Sequence, residues 1–160
     1  MAKRRIFISY QHNDQMKAKG FNLLRWNKNV DLEFVGQHLL DPVDSTNEDY
    51  IKSCVREQIA GTSVTVVLIG RNTYDSDWVK WEIDESLAKD NPNGILAIKL
   101  DDDVLLPDNS PVGMALRDAG AEIIGWDPHA FQDAIERAAV AAGRAVAIRR
   151  AGAGGDSCAR

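Results

Sequence analysis

Apolar and polar positions along this chain fall into short blocks whose period switches repeatedly between two and about 3.6 residues. Arg5-Ile6-Phe7-Ile8-Ser9-Tyr10 is β-branched and aromatic and ends at the polar run Gln11-His12-Asn13-Asp14, which predicts a first strand. Asp14 can cap a helix over 15–28, with Met16, Gly20, Leu23, Leu24 and Asn27 spaced for one face and Phe21 beside it. Leu32-Glu33-Phe34-Val35 predicts a second strand, and Pro42 makes 36–46 a loop. Ser45-Thr46-Asn47-Glu48 has the S-x-x-E form of a capping box. The helix it opens sets Ile51, Cys54, Val55, Gln58 and Ile59 along one side and stops at Gly61. Apolar neighbours at helical spacing make Cys54 a buried structural thiol in this reading.

The run Ser63-Val64-Thr65-Val66-Val67-Leu68-Ile69-Gly70 is almost continuously apolar, as expected of a central parallel strand covered on both faces. A helix over 76–90 follows, then a fourth strand over 94–100. Asp101-Asp102-Asp103 begins a long loop holding Pro107 and Pro111, and residues 121–126 form a short fifth strand. Pro128 suits the first turn of a last helix carrying Phe131, Ile135, Ala138, Ala139 and Ala142. Strands that alternate with helices must be joined by crossovers. The fold class is therefore α/β, a three-layer flavodoxin-like sandwich around a five-stranded parallel sheet of order 2-1-3-4-5. Residues 1–149 make one domain, and the Arg/Ala/Gly-rich segment 150–160 reads as a disordered tail.

Composition narrows the chemistry. The chain has 160 residues with 44% apolar and 27% charged, which excludes collagen-like, disulfide-scaffold and fully disordered classes. A formal net charge of −5 argues against a nucleic-acid partner, since phosphate binding needs a basic footprint. Cys54 and Cys158 form no paired motif for a metal or a redox couple. Without a signal peptide or a long apolar run, the expectation is a cytoplasmic protein that engages no membrane.

Ligands of a doubly wound sheet bind beyond the carboxyl ends of its strands. The loops there, 10–14, 36–46, 70–77, 101–111 and 126–129, carry His12, His38, His129, Asp14, Asp41, Arg71, Trp78 and Trp126. The three histidines have no metal-site spacing. The first loop lacks the glycines of a flavin phosphate loop. The third strand ends at Gly70-Arg71 rather than a phosphoacceptor aspartate, and neither G-x-G-x-x-G nor a P-loop is present. On the helix after the third strand, Val79, Ile83 and Leu87 form the inward stripe. Glu82 lies roughly 60–100° from that stripe, one turn after Trp78. A carboxylate at that core boundary can be a local pairing group or a reactive one. Burial beside an indole raises its pKa, and the helix N-terminus lowers it.

These residues resemble a Toll/interleukin-1 receptor (TIR) domain over about residues 4–100. Arg5-Ile-Phe-Ile-Ser-Tyr10 resembles the family's first strand. The sequence Val67-Leu-Ile-Gly70, then Thr73, then Trp78-Val-Lys-Trp-Glu-Ile83 is similar to the ThsB TIR proteins of bacterial Thoeris anti-phage defence. The resemblance implies an NAD+ glycohydrolase or ADP-ribosyl cyclase that breaks the nicotinamide–ribose bond, with Glu82 catalytic. It implies substrate contacts from Ser9, Tyr10, His12, His38, Asp41 and Trp78, although this chain has Gln11-His12 where some members carry basic residues. NAD+ is the substrate, so no cofactor is expected. The product implied is a cyclic ADP-ribose messenger sensed by a separate effector. Assembly through TIR surfaces and a phage-derived trigger are the implied partners. The family also contains non-enzymatic adaptors that act through TIR–TIR contacts, and a deoxyribosyltransferase would use the same fold with a glutamate.

Overall fold

The computed structural model describes residues 4–27, 34–37 and 47–152. Among these, strands β1 (Arg4–Ser9), β2 (Phe34–Gln37), β3 (Val64–Ile69), β4 (Gly94–Lys99) and β5 (Glu122–Ile124) form one sheet in the order β2-β1-β3-β4-β5. Every pairing is parallel, and β1 meets β3 in the register Ile6↔Val64 through Ser9↔Val67. Helices α1 (Gln15–Leu23), α2 (Glu48–Ala60), α3 (Asp77–Leu87), α4 (Pro111–Asp118) and α5 (Pro128–Gly152) cover both faces.

Side-chain alternation along the strands sorts the core into layers. Ile6, Ile8, Val64, Val66, Leu68, Leu96 and Ile98 pack against Ala18 and Phe21 of α1 and Phe131, Ala134, Ile135 and Ala138 of α5. On the other face, Val67, Ile69, Ile95 and Ala97 meet Val79 and Ile83 of α3 and Val112, Ala115 and Leu116 of α4. Phe7 meets Val55 and Ile59 of α2 on that same face. β3 is buried at all six positions, which is why its sequence shows almost no polar alternation.

Several expectations from the sequence are corrected. The proposed inward face of α1 is largely its outward one. Met16 and Leu23 are 78% and 62% exposed, while Ala18 and Phe21 are fully buried. The helix also ends at Leu23 and tightens into a 3-10 turn over Leu24–Trp26 instead of running to 28. The cap of α2 is Asn47, whose side chain accepts from the Tyr50 amide at 3.2 Å. Ser45 of the capping-box reading lies outside the described residues. Cys54 is only half-buried, because the covered stripe of α2 narrows to Val55 and Ile59.

The long loop after β4 contains a helix. Ser110 Oγ accepts from the Gly113 amide at 3.1 Å and Pro111 occupies the first turn, where its missing N–H leaves nothing unsatisfied. Pro111 therefore opens α4 rather than extending a loop. The last helix continues through Gly152, past the expected start of a tail at 150, and 153–160 lie outside the described residues. No helix among the described residues is long and apolar enough to cross a membrane.

Candidate active site

Three elements converge at the carboxyl ends of the central strands. The first is the end of β1, where alternation turns Phe7 and Ser9 toward α2 and α3. The second is the turn after β3. The third is the start of α3, capped by Ser76 Oγ, which accepts from the Val79 amide at 3.2 Å. With Val79 and Ile83 pressed on the sheet, Glu82 in the second turn is carried inward as well and is 4% exposed.

Ser9 Oγ donates to Glu82 Oε1 at 2.7 Å, joining β1 to α3 across 73 residues of sequence. The Trp78 indole, one turn earlier, neighbours the same carboxyl and favours its ionised form. An ionised carboxylate offers about four acceptor sites, so these two groups leave it under-supplied once water is excluded. Burial accordingly pushes the Glu82 carboxyl up to about 8, against the smaller opposing pull of Ser9 and Trp78. At neutral pH the resting group is mostly the neutral acid. A positive charge placed beside it would favour the ionised form.

Trp78 has a second attachment. It is half-buried against Phe7, Val55 and Ile59, and its ring lies 5.1 Å from that of Trp81 at 37°. Lys52 Nζ and the Arg56 guanidinium lie 5.3 and 5.4 Å from the Trp81 ring centroid on the outer side. The indole is thus part of the wall that encloses Glu82, in addition to being a flat surface near it.

The other expected site residues divide. Ser9 is fully buried at the carboxyl. Tyr10 packs instead with the α1/α5 layer, on the opposite side of the sheet from the Ser9–Glu82 pair, as strand alternation requires. His12 is exposed in a single 3-10 turn whose Gln11 cap accepts from the Asn13 amide at 2.8 Å. His38 and Asp41 lie outside the described residues. His129 and Arg71 are exposed, and Trp126 packs edge-on to Phe131 and Phe21.

Asp14, expected to cap α1 and named among the edge residues, makes no side-chain cap hydrogen bond and sits instead over the crevice between β1 and β3. Thr73 Oγ1 accepts from the Gly70 amide at 2.8 Å and donates to Asp14 Oδ2 at 3.4 Å. A Cβ at Gly70 would displace that carboxylate from its present place over the turn. Burial raises the Asp14 pKa, with Thr73 and Lys17 opposing and Asp101 adding to the rise. An open groove of about 900 Å³ lies at the opposite, amino-terminal edge of the sheet, lined by Arg4, Thr62, Ser63, Lys89, Asn91 and Gly143 among others. It is remote from the converging loops, and its cations are engaged. Arg4 pairs with Glu136 at 2.8 Å, and Lys89 is bonded within the protein.

Sequence reasoning missed Thr65, Ser86 and Asn93, which are polar yet buried between β3 and α3. The signal was available in Thr65, a polar residue in an otherwise apolar strand, and in Ser86, one helical turn beyond Glu82.

Comparison with known proteins places the chain. Residues 7–104 match the family described as the TIR-like domain of the Thoeris protein ThsB, and the chain belongs to that family. A curated relative from Bacillus cereus (strain MSX-D12), named "Putative cyclic ADP-D-ribose synthase ThsB1", is 31% identical over 96 residues. The match spans 57% of this chain and 49% of that protein, so this chain covers about half of its relative's length. Among solved structures, the TIR domains of the activated Roq1 resistosome align with a TM-score of 0.48 and 14% identity, over 91% of this chain and 85% of that one. A general stress protein 14 from Treponema denticola, solved with FMN, aligns at 0.38 and 12%, over 91% and 98%. Likenesses at that distance carry no functional argument.

Proposed function

We propose that this chain cleaves NAD+ at the nicotinamide–ribose bond and releases an ADP-ribose messenger, in cyclic form, for bacterial anti-phage defence in the cytoplasm. The observation that carries this reading is the buried Glu82 carboxyl held by Ser9 and neighboured by Trp78, in a chain that belongs to the ThsB TIR family. The name of the curated relative supports the product class.

The chemistry asked of Glu82 is limited. Nicotinamide in NAD+ is already a cationic leaving group, so its departure needs no general acid. The bond breaks through an oxocarbenium-like transition state, as in glycoside hydrolysis. The cyclic product forms when a nucleophilic atom of the same ADP-ribosyl group, rather than water, bonds to the ribosyl carbon in place of nicotinamide. A single carboxylate near the ribose can accept from its hydroxyls and stabilise the developing positive charge. The pyridinium ring beside Glu82 favours the ionised carboxylate, so binding of substrate and loss of the Glu82 proton are coupled. Because the carboxyl is enclosed in this conformation, entry of the ribose requires displacement of part of the wall that includes Trp78. A requirement for a trigger or for TIR–TIR assembly is consistent with such a closed resting state. No second catalytic carboxylate and no cofactor enter the scheme.

The test is mass spectrometry of nucleotide products from the purified chain with NAD+, alone and with phage lysate. Nicotinamide and a cyclic ADP-ribose species should appear with wild type and not with Glu82→Gln. Undiminished release by Glu82→Gln would refute the assignment. Phage protection that survives Glu82→Gln and is lost on substitution within 36–46 would instead favour the non-enzymatic adaptor reading.

A further inference from the structure

A chain of buried polar side chains runs between β3 and α3 from the amino-terminal groove toward Glu82. Lys89 Nζ donates to Ile59 O at 3.1 Å, Thr62 O at 2.6 Å and Asn93 Oδ1 at 2.5 Å. Asn93 Nδ2 donates to Thr62 Oγ1 at 2.8 Å and to Thr65 Oγ1 at 3.0 Å. Thr65 Oγ1 and Ser86 Oγ are 2.7 Å apart, and Ser86 Oγ donates to the main-chain oxygen of Glu82 at 2.8 Å. Thr65 and Ser86 are fully buried, and Asn93 is 2% exposed.

Proton counting fixes every direction in this chain. The ammonium has three donors and no acceptor, so the Asn93 atom facing it is the carbonyl oxygen and the amide nitrogen faces the threonines. The Thr62 hydroxyl spends its proton on Ile59 O at 2.7 Å and therefore accepts from Asn93. The Ser86 hydroxyl spends its proton on Glu82 O, so in the Thr65–Ser86 pair Thr65 is the donor. All links then point one way, Lys89 to Asn93 to Thr65 to Ser86 to Glu82 O, an arrangement in which each bond polarises the next. The chain ties the turn of α3 that bears Glu82 to a fixed height on β3. β3 in turn is registered against β1, which carries Ser9 at the pair Ser9↔Val67.

We propose that Thr65, Ser86 and Asn93 are positioning residues for Glu82, setting the height and rotation of α3 at which its carboxyl meets Ser9. The catalytic meaning of this assignment rests on the function proposed above. The geometric part does not.

The experiment compares Thr65→Val, which keeps shape and removes the hydroxyl, with Thr65→Ser, which restores it. Two readouts are taken: the kcat and KM of nicotinamide release, and the titration of the Glu82 carboxyl by carbon NMR with labelled glutamate. Thr65→Val orphans an Asn93 N–H and removes the donor to Ser86 Oγ, so α3 shifts and the Ser9–Glu82 bond lengthens. Expected are a kcat lowered about 10-fold with KM within about 2-fold. The Glu82 titration should move upward, because the Ser9 bond holds it down. Thr65→Ser should return both readouts toward wild type. If Thr65→Val fails to fold, Ser86→Ala is read in the same way. The proposal is overturned if the variant only lowers Tm, with Glu82 titration and kcat of the folded protein unchanged, or if Thr65→Ser behaves like Thr65→Val. A wild type that releases no nicotinamide under any trigger, while the titration still responds to Thr65→Val, would sink the NAD+ reading and leave the positioning role standing.

Discussion

Glu82 and Lys89 sit on the same stretch of chain, two turns apart, and both have lost much of their water. Lys89 has three protons and three acceptors inside the protein. Burial lowers its pKa, but its hydrogen-bonding capacity is filled and it serves the architecture. Glu82 is more deeply buried, and among the described residues only Ser9 and Trp78 favour its charged form, so that form is poorly served and its pKa stands near 8. The difference separates a group that stabilises the fold from one that the fold holds at a disadvantage, and the latter is the signature expected of a reactive centre.

The sharpest way to break this contrast is Glu82→Gln. The amide keeps the size and neutrality of the resting acid but cannot become an anion. Nicotinamide release should fall about 10³-fold or more, the order seen when a transition-state electrostatic group is removed. Liquid chromatography of the products reads this directly. In wild type, kcat/KM should rise with pH through about 8 as the free carboxyl ionises. The corresponding limb in kcat should lie lower, since the bound pyridinium favours the anion.

The same substitution probes stability. The Glu82 pKa is raised on folding, so the native state binds the proton more tightly than the unfolded chain. Its stabilising contribution is complete below the unfolded value near 4.5 and is lost as pH rises through about 8. Across that window the wild-type Tm should fall, by an amount corresponding to about 1.4 kcal/mol per unit of pKa difference at most. Glu82→Gln should flatten this dependence and melt above wild type at pH 8.5. A parallel pH dependence in the two proteins would show that Glu82 is not the titrating group.

Trp78 tests whether the indole matters more as the carboxyl's wall or as a group that favours its charge. Trp78→Ala should cost about 3–5 kcal/mol, the range for truncating a packed aromatic, and chemical denaturation reads it. Trp78→Phe retains most of the contact with Phe7, Val55 and Ile59 while removing the indole N–H. Its stability loss should be smaller, and the Glu82 titration should move further up, because one of the two groups that favour the ionised form is gone. An unchanged titration in Trp78→Phe would assign Trp78 to packing alone.

How much of this was legible beforehand follows from the kind of signal each feature carries. β3 announced itself, because a strand covered on both faces has no polar alternation to obscure it. The place of Glu82 at the core boundary was legible from the stripe of Val79, Ile83 and Leu87 and from Trp78 one turn earlier, whereas a catalytic role was implied by the resemblance alone. α1 was misread because its exposed side carries Met16 and Leu23 while its buried side carries only Ala18 and Phe21. Hydrophobicity there does not mark the core face. α4 was missed because Pro107 and Pro111 are loop markers and helix-start markers alike, and only the Ser110 cap distinguishes the two. Tyr10 was named with Ser9 on the resemblance, whereas adjacency in a strand sends neighbours to opposite faces. The Asp14–Thr73–Gly70 contact joins residues 59 apart and leaves no local pattern at all.

Asp14 supplies the smallest expected effect and a control on the whole contrast. Like Glu82 it is a carboxyl at the carboxyl edge of the sheet whose pKa is raised by burial. Unlike Glu82 it is only half-buried, with Lys17 close enough to favour its charge, so solvent and a counter-charge share the load that Glu82 bears without either. Asp14→Asn keeps an oxygen to accept from Thr73 and a shape that fits over Gly70. It should therefore melt within about 0.5 kcal/mol of wild type at neutral pH, as expected for a partly exposed site. The sign of any pH effect is the same as for Glu82, with stability greatest below the unfolded aspartate pKa and declining just above it, over a much narrower window. A large gain in stability from Asp14→Asn, comparable to that of Glu82→Gln at pH 8.5, would mean that burial at this edge penalises carboxyls in general and that Glu82 is not singled out by its missing partners.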